Sequence, residues 1–200
     1  MTAVFSYAQT PEFYVEMENG EPFEGVSCVV EETQENGFMV WNVTMKNDAS
    51  VPFQPVKAGL RLGIDTYMDK YPEWLDKYFP TLLYCSRTHF YGYLQTPGGK
   101  ILAVVSKDPI ASWSVDYNLA YQEPEGYWFY GHRIGSVNLD LINALPLPSH
   151  HPQDRWRLLP GPSLEWKIMF IPDLVEILHS GSELLLFRIQ ILPGIAAAYE

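Results

Sequence analysis

Positive charge is missing from the start of this chain: residues 1–45 hold eight Glu and no Lys or Arg. Over all 200 residues, 13 basic side chains stand against 24 acidic ones, a formal net charge of −11. Nucleic acid and anionic membrane surfaces both require a basic footprint, so neither is an expected partner. The acidic start reads as a solvated face, with a cation or a basic partner as the alternative. Cysteine is scarce as well. Cys28 and Cys85 stand alone, which excludes a disulfide framework and a four-cysteine zinc centre. No apolar run reaches the roughly 18–20 residues of a membrane helix, so no membrane span is expected. The nearest, "ELLLFRIQILPGIAAAY", is interrupted by Arg188, Gln190 and Pro193. The Met-Thr-Ala start has neither a basic n-region nor an apolar h-region, so no secretory leader is visible. The expected location is periplasmic or extracellular if a leader has been removed, and cytoplasmic if Met1 is native.

A hydrophobic fraction of 47% and an aromatic fraction of 14% exclude a disordered chain, and the length suffices for a real core. Apolar alternation recurs in short runs separated by turn residues, which is the pattern of an all-β protein. "EFYVEME" places Phe13, Val15 and Met17 on one face. "GVSCVVEE" follows, then a turn at "TQENG". "FMVWNVTMKN" puts Met39, Trp41, Val43 and Met45 on one side and Val40, Asn42, Thr44 and Lys46 on the other. Further strands are read in "KAGLRLGID", "RTHFYGYLQT", "ILAVV", "SWSVDYNLAYQ", "YWFYGHRIGSVNLDL", "SLEWKIMFI" and "ELLLFRIQIL". The expectation is an antiparallel β-sandwich of roughly nine to eleven strands. One short helix is expected near 72–78, with Pro72 in its first turn. "VNLDLINAL" fits a strand or one helical turn. The five prolines of Leu145–Pro162 mark a long loop that wraps the domain.

The candidate chemistries are mostly thin. Cys28, Trp41 and Cys85 follow the order of an antibody-type domain, but Leu83 occupies the position of the corner tyrosine, so two buried free thiols are expected. His150, His151 and Asp154 lie close in sequence, yet adjacent histidines on a strand point to opposite faces, and no metal is expected. Paired carboxylates for glycoside hydrolysis could come from Glu16 with Glu18 or Glu123 with Glu125, but neither pair has an aromatic cleft context. Asp108 reads as a turn residue before proline. There is no Gly-x-Ser-x-Gly and no Gly-rich phosphate loop, and no cofactor is expected.

What remains is aromatic surface. In "RTHFYGYLQT", Arg87, His89, Tyr91, Tyr93 and Gln95 fall on one face, while Phe90, Gly92 and Leu94 fall on the other, the better core candidate. "YWFYGHR" repeats the chemistry with Trp128, Tyr130 and His132. Flat rings flanked by planar hydrogen-bonding groups suit sugars; they also suit cross-strand pairing or packing against a neighbouring domain. Pro97-Gly98 fits the centre of a type II turn between two strands. The following "ILAVV" is apolar on both faces, so this hairpin is expected inside a sheet and its tyrosine row under a cover.

Several segments together resemble a known family. "NVTMKNDASVPFQPVKAGLRLGID", "THFYGYLQTPGGKILAVVSKDPIASWSVDYN", "GHRIGSVNLDLINALPLPSHHPQ" and "LLPGPSLEWKIMFIP" are similar to the N-terminal β-sandwich domain of bacterial polysaccharide-degrading enzymes, glycoside hydrolases or lyases. In that family an (α/α) barrel carries the catalytic residues. The likeness spans Trp41 to Ile171 and lies in strands and turns. It implies that residues 1–200 form one secreted, carbohydrate-binding accessory domain, the N-terminal part of a longer enzyme. Its partners would be the catalytic domain of the same polypeptide or a polysaccharide. The alternatives are a β-sandwich hydrolase or lyase in its own right, using carboxylates or His132, and a free-standing carbohydrate-binding or adhesion module.

Overall fold

The computed structural model describes residues 11–63, 75, 78–85, 89–117, 134–146, 151 and 154–172. Ten strands form two antiparallel sheets. They are β1 (Glu12–Glu16), β2 (Val26–Glu35), β3 (Phe38–Asn47), β4 (Lys57–Gly63), β5 (Phe79–Cys85), β6 (Phe90–Gln95), β7 (Ile101–Ser106), β8 (Ser112–Tyr117), β9 (Ile134–Asn143) and β10 (Ser163–Pro172). One sheet has the order β1-β4-β9-β8, the other β2-β3-β10-β7-β6-β5. The all-β sandwich is as the alternation predicts. Of the expected helix near 72–78, only Leu75 and Tyr78 fall among the described residues, and the strand expected in "ELLLFRIQIL" lies outside them. No helix among the described residues is long and apolar enough to cross a membrane.

The main core lies between the sheets and takes one parity from each strand. Trp41, Val43 and Met45 of β3 meet Trp166, Ile168 and Phe170 of β10, and these face Leu60, Leu139 and Leu141 of the other sheet. The Trp41 ring meets Phe170 edge-on at 4.5 Å, and the Trp166 indole donates to the Pro109 carbonyl at 2.9 Å. Removing either indole would cost about 3–5 kcal/mol in lost burial and cavity. "VNLDLINAL" resolves as strand: β9 runs through Asn143, pairing with β4 and β8.

Two turns differ from the expected ones. β2 continues through Thr33, Gln34 and Glu35, so the turn is Asn36-Gly37 alone, with φ of 54° and 84°. A two-residue loop with both φ positive matches the twist of a hairpin, so Asn-Gly closes it without "TQE". At the β6–β7 loop the positive φ falls on Gly99 (93°), not Gly98. Gly99 N–H donates to Thr96 O at 2.9 Å and Thr96 N–H to Lys100 O at 2.9 Å, closing a three-residue loop. Gly98 has a different constraint, because a Cβ there would sit 2.8 Å from the Leu75 carbonyl oxygen.

As expected, β6 and β7 are interior strands of the six-stranded sheet. With β3 and β10 they build a second apolar layer on the outward parity: Val40, Ala103, Val105, Met169 and Ile171 are all buried, with Phe38, Ile101, Tyr91 and Tyr93 packed against them. Glu35, at the tip of the β2–β3 hairpin, binds Lys167 and Lys107, the latter at 3.1 Å. These hydrogen bonds, Lys167 first, hold its carboxyl below the usual glutamate range. A depressed folded-state value means the pair stabilises the fold above the unfolded carboxyl's titration and is lost as pH falls through the folded one. The urea midpoint of wild type should therefore fall more steeply than that of Glu35→Gln below about pH 4.3. Parallel curves would contradict this account of the hairpin tip.

Candidate functional site

Of the predicted face, the structure describes His89, Tyr91, Tyr93 and Gln95; Arg87, Trp128, Tyr130 and His132 lie outside the described residues, as do Glu123 and Glu125. The predicted parity holds: Phe90, Gly92 and Leu94 are buried, while Tyr91 and Tyr93 are half-buried and Gln95 is exposed. Gly92 does not open the backbone between the tyrosines. It faces inward, where a Cβ would meet Leu83 at 3.0 Å and Phe90 at 3.2 Å.

Register brings a third tyrosine into the row. Tyr84 pairs with Tyr91, and Tyr91 with Val105; Leu82 pairs with Tyr93, and Tyr93 with Ala103. The Tyr84 and Tyr91 rings lie 5.1 Å apart, and those of Tyr91 and Tyr93 6.2 Å apart at 62°. Tyr84 and Leu82 are each 46% exposed. The row thus runs from a closed apolar layer, at Val105 and Ala103, to an open apolar margin at β5. Burial holds the His89 imidazole below its ordinary value, which favours the neutral ring.

A second constellation escaped the sequence reading. On the outer face of the four-stranded sheet, Tyr14, Gly59, Asp140 and Ser112 form one cross-strand row. Gly59 offers no side chain, so the Tyr14 phenol spans β4 and donates to Asp140 two strands away. Ser112 Oγ donates to Asp140 Oδ2 at 2.6 Å and Ser114 Oγ to Oδ1 at 3.1 Å. Asn143 Nδ2 donates to Ser112 at 3.1 Å, Asn138 Nδ2 to Asp116 at 3.0 Å, and Arg61 bridges Asp116 (3.1 Å) and Glu12 (3.2 Å). Asp140 is 2% exposed and Asn138 fully buried. The period-two runs "SWSVD" and "GSVNLD" carry this polar face in the sequence, but such alternation ordinarily marks a solvated side.

Chemically the ladder is a brace. Three hydroxyl donors occupy the Asp140 carboxylate, and burial together with that carboxylate pushes the Tyr14 phenol far above its usual range. A phenol so reluctant to ionise is a poor base or nucleophile. The thiols are equally quiet. Cys28 and Cys85 are not joined in a disulfide, and burial pushes their thiols up to about 11 and about 12 respectively. His151 Nδ1 sits 2.9 Å from the Ala111 carbonyl oxygen, and no group of His, Cys, Asp and Glu suited to a metal ion occurs among the described residues. Asp108 serves its loop, its carboxylate accepting from Lys167 N–H at 2.8 Å. Glu16 is held by Lys57 at 3.4 Å, apart from Glu18 in the turn that follows β1.

Fold and site together define a β-sandwich with aromatic and polar outer faces and no assembled catalytic pair among the described residues. No family model matches the chain, and neither does any curated protein sequence. Among solved structures the chain is similar to a polysaccharide lyase, with a TM-score of 0.55 and 13% sequence identity. The match covers 79% of this chain and 22% of the lyase, so the chain spans about a fifth of that protein's length. At that identity the likeness is one of fold: a β-sandwich of the kind found in a polysaccharide-degrading enzyme.

Proposed function

We propose that this chain is a non-catalytic accessory β-sandwich of a secreted polysaccharide-degrading enzyme, packing on a catalytic domain and contacting glycan. The observation that carries the reading is the proportion of the structural match: most of this chain corresponds to about a fifth of a lyase. The chemistry of the described residues agrees with it, since the buried Tyr14–Asp140 pair is locked in a hydrogen-bonded brace. The docking face is the tyrosine row, where Leu82 and Tyr84 extend a buried apolar layer to an open margin. The exposed apolar margin beside the rings favours protein packing there over sugar binding.

The native gene should therefore encode a catalytic domain in the same polypeptide. That domain, produced separately, should bind the 200-residue chain in sedimentation velocity, with Leu82→Glu/Tyr84→Glu weakening the complex about tenfold or more. A native gene encoding nothing beyond these residues would sink the accessory reading. An unchanged complex in the double variant would move the docking face elsewhere.

A further inference from the structure

Basic side chains on and beside the described strands of this acidic protein are neutralised. Lys46 meets Asp48 (2.5 Å), Lys57 meets Glu16 (3.4 Å), Arg61 meets Glu12 and Asp116 (3.2 and 3.1 Å), and Lys107 and Lys167 share Glu35. The loop leading into β10 departs from this. Arg155 and Arg157 make no ion pair among the described residues, although Asp154 directly precedes Arg155. Each lies instead on an indole: the Arg157 guanidinium carbon is 4.2 Å from the Trp156 ring centroid, and that of Arg155 5.7 Å from Trp166. The Arg155 Nε has no hydrogen-bond partner. Trp156 is 39% exposed, an unusual position for the largest apolar side chain.

This run is anchored. Phe53 and Leu158 exchange backbone hydrogen bonds at 2.9 and 2.8 Å, Asn47 Nδ2 donates to Leu158 O at 3.1 Å, and Asn143 N–H donates to Arg155 O at 2.9 Å. Arg155 covers the buried Trp166, while Trp156 and Arg157 make an exposed pair on a fixed backbone, suited to a flat ligand with a negative charge. Stacked arginine is weakly hydrated and presents a fork that matches a carboxylate or sulfate. The indole face suits the C–H face of a sugar ring.

Resting on the carbohydrate-directed reading above, we infer that Trp156 and Arg157 form a subsite for an anionic sugar residue of a polysaccharide, the indole stacking on the ring and the guanidinium group binding its carboxylate or sulfate. One guanidinium matches a sparsely charged glycan, which a chain of net charge −11 repels less than a densely charged polyanion. With about one ionic contact, affinity should fall only some two- to fourfold between 50 and 200 mM salt.

The test is affinity electrophoresis of the whole 200-residue chain in gels containing polygalacturonate, dextran sulfate or dextran. Retardation is expected with polygalacturonate if the anion is a carboxylate, with dextran sulfate if it is a sulfate, and not with dextran. Trp156→Ala and Arg157→Gln should each weaken it about tenfold or more, while Arg157→Lys restores only part of the loss. Both positions are exposed, so far-ultraviolet circular dichroism should report an unchanged fold. The subsite is overturned if neither anionic gel retards the chain, if dextran retards it equally, or if both variants migrate as wild type. Retardation by dextran sulfate alone that ignores Trp156→Ala and collapses steeply with salt also overturns it. A chain that degrades polysaccharide unaided would contradict the accessory reading and leave these outcomes unaffected.

Discussion

Gly59→Ala should lower the melting temperature by about 10 °C or more, or leave the chain unable to fold. Between Ala58 and Gly59 the β4–β9 register shifts, so that Ala58 faces Ile142 while Gly59 faces Asp140. The extra residue of β9 brings backbone under the Gly59 Cα. An alanine Cβ would lie 1.9 Å from the Leu139 carbonyl oxygen and 2.8 Å from the Leu141 nitrogen. Ordinary non-bonded contacts lie at roughly 3.5 Å, and the obstructing atoms are main chain, which cannot swing aside. Relief requires prying β4 from β9 at the centre of the four-stranded sheet, at a cost of about 4 kcal/mol or more. Thermal unfolding followed by circular dichroism measures the effect; a shift of only a degree or two would mean that the bulge is misplaced.

Asp140→Ala should cost about 3–5 kcal/mol in equilibrium urea unfolding. The substitution removes the acceptor of three hydroxyl groups, those of Tyr14, Ser112 and Ser114, in a region with little access to water. Each buried donor left without a partner costs about 1–3 kcal/mol, and a small cavity adds to that. Tyr14→Phe removes one donor and should cost less, about 1 kcal/mol. The informative quantity is their coupling. If Tyr14 and Asp140 interact directly, the double variant is less destabilised than the sum of the two singles by about 1 kcal/mol or more. Additive effects, or an Asp140→Ala cost below about 1 kcal/mol, would show that the brace contributes little.

These two sites mark where sequence reasoning stopped. Parity within a strand is a local property, so the division of β3 into Trp41, Val43, Met45 and Val40, Asn42, Thr44 was readable, as was the inward face of Phe90, Gly92 and Leu94. The double apolar character of "ILAVV" also placed its hairpin inside a sheet. Whether an outward face meets water is decided by long-range packing, which parity does not record. "SWSVD" and "GSVNLD" carry the alternation that ordinarily marks a solvated side, yet Asn138 and Asp140 are buried. For the same reason, nothing local sets Gly59 apart from any strand glycine; the register of β9 brings backbone against it. Tyr84, in "TLLYC", joins the tyrosine row only through the pairing of β5 with β6. The acidic start resolves partly into pairs, Glu12 with Arg61, Glu16 with Lys57 and Glu35 with two lysines. Glu31 and Glu32 line the outermost strand of the larger sheet, where charge discourages edge-to-edge association.

The accessory role is tested most directly by incubating the purified chain with a panel of neutral and acidic polysaccharides and measuring new reducing ends and unsaturated uronate ends. The account predicts no turnover above a heat-denatured control. Sustained release of either product, abolished by substituting a residue of this chain while the fold is retained, would make the sandwich an enzyme in its own right.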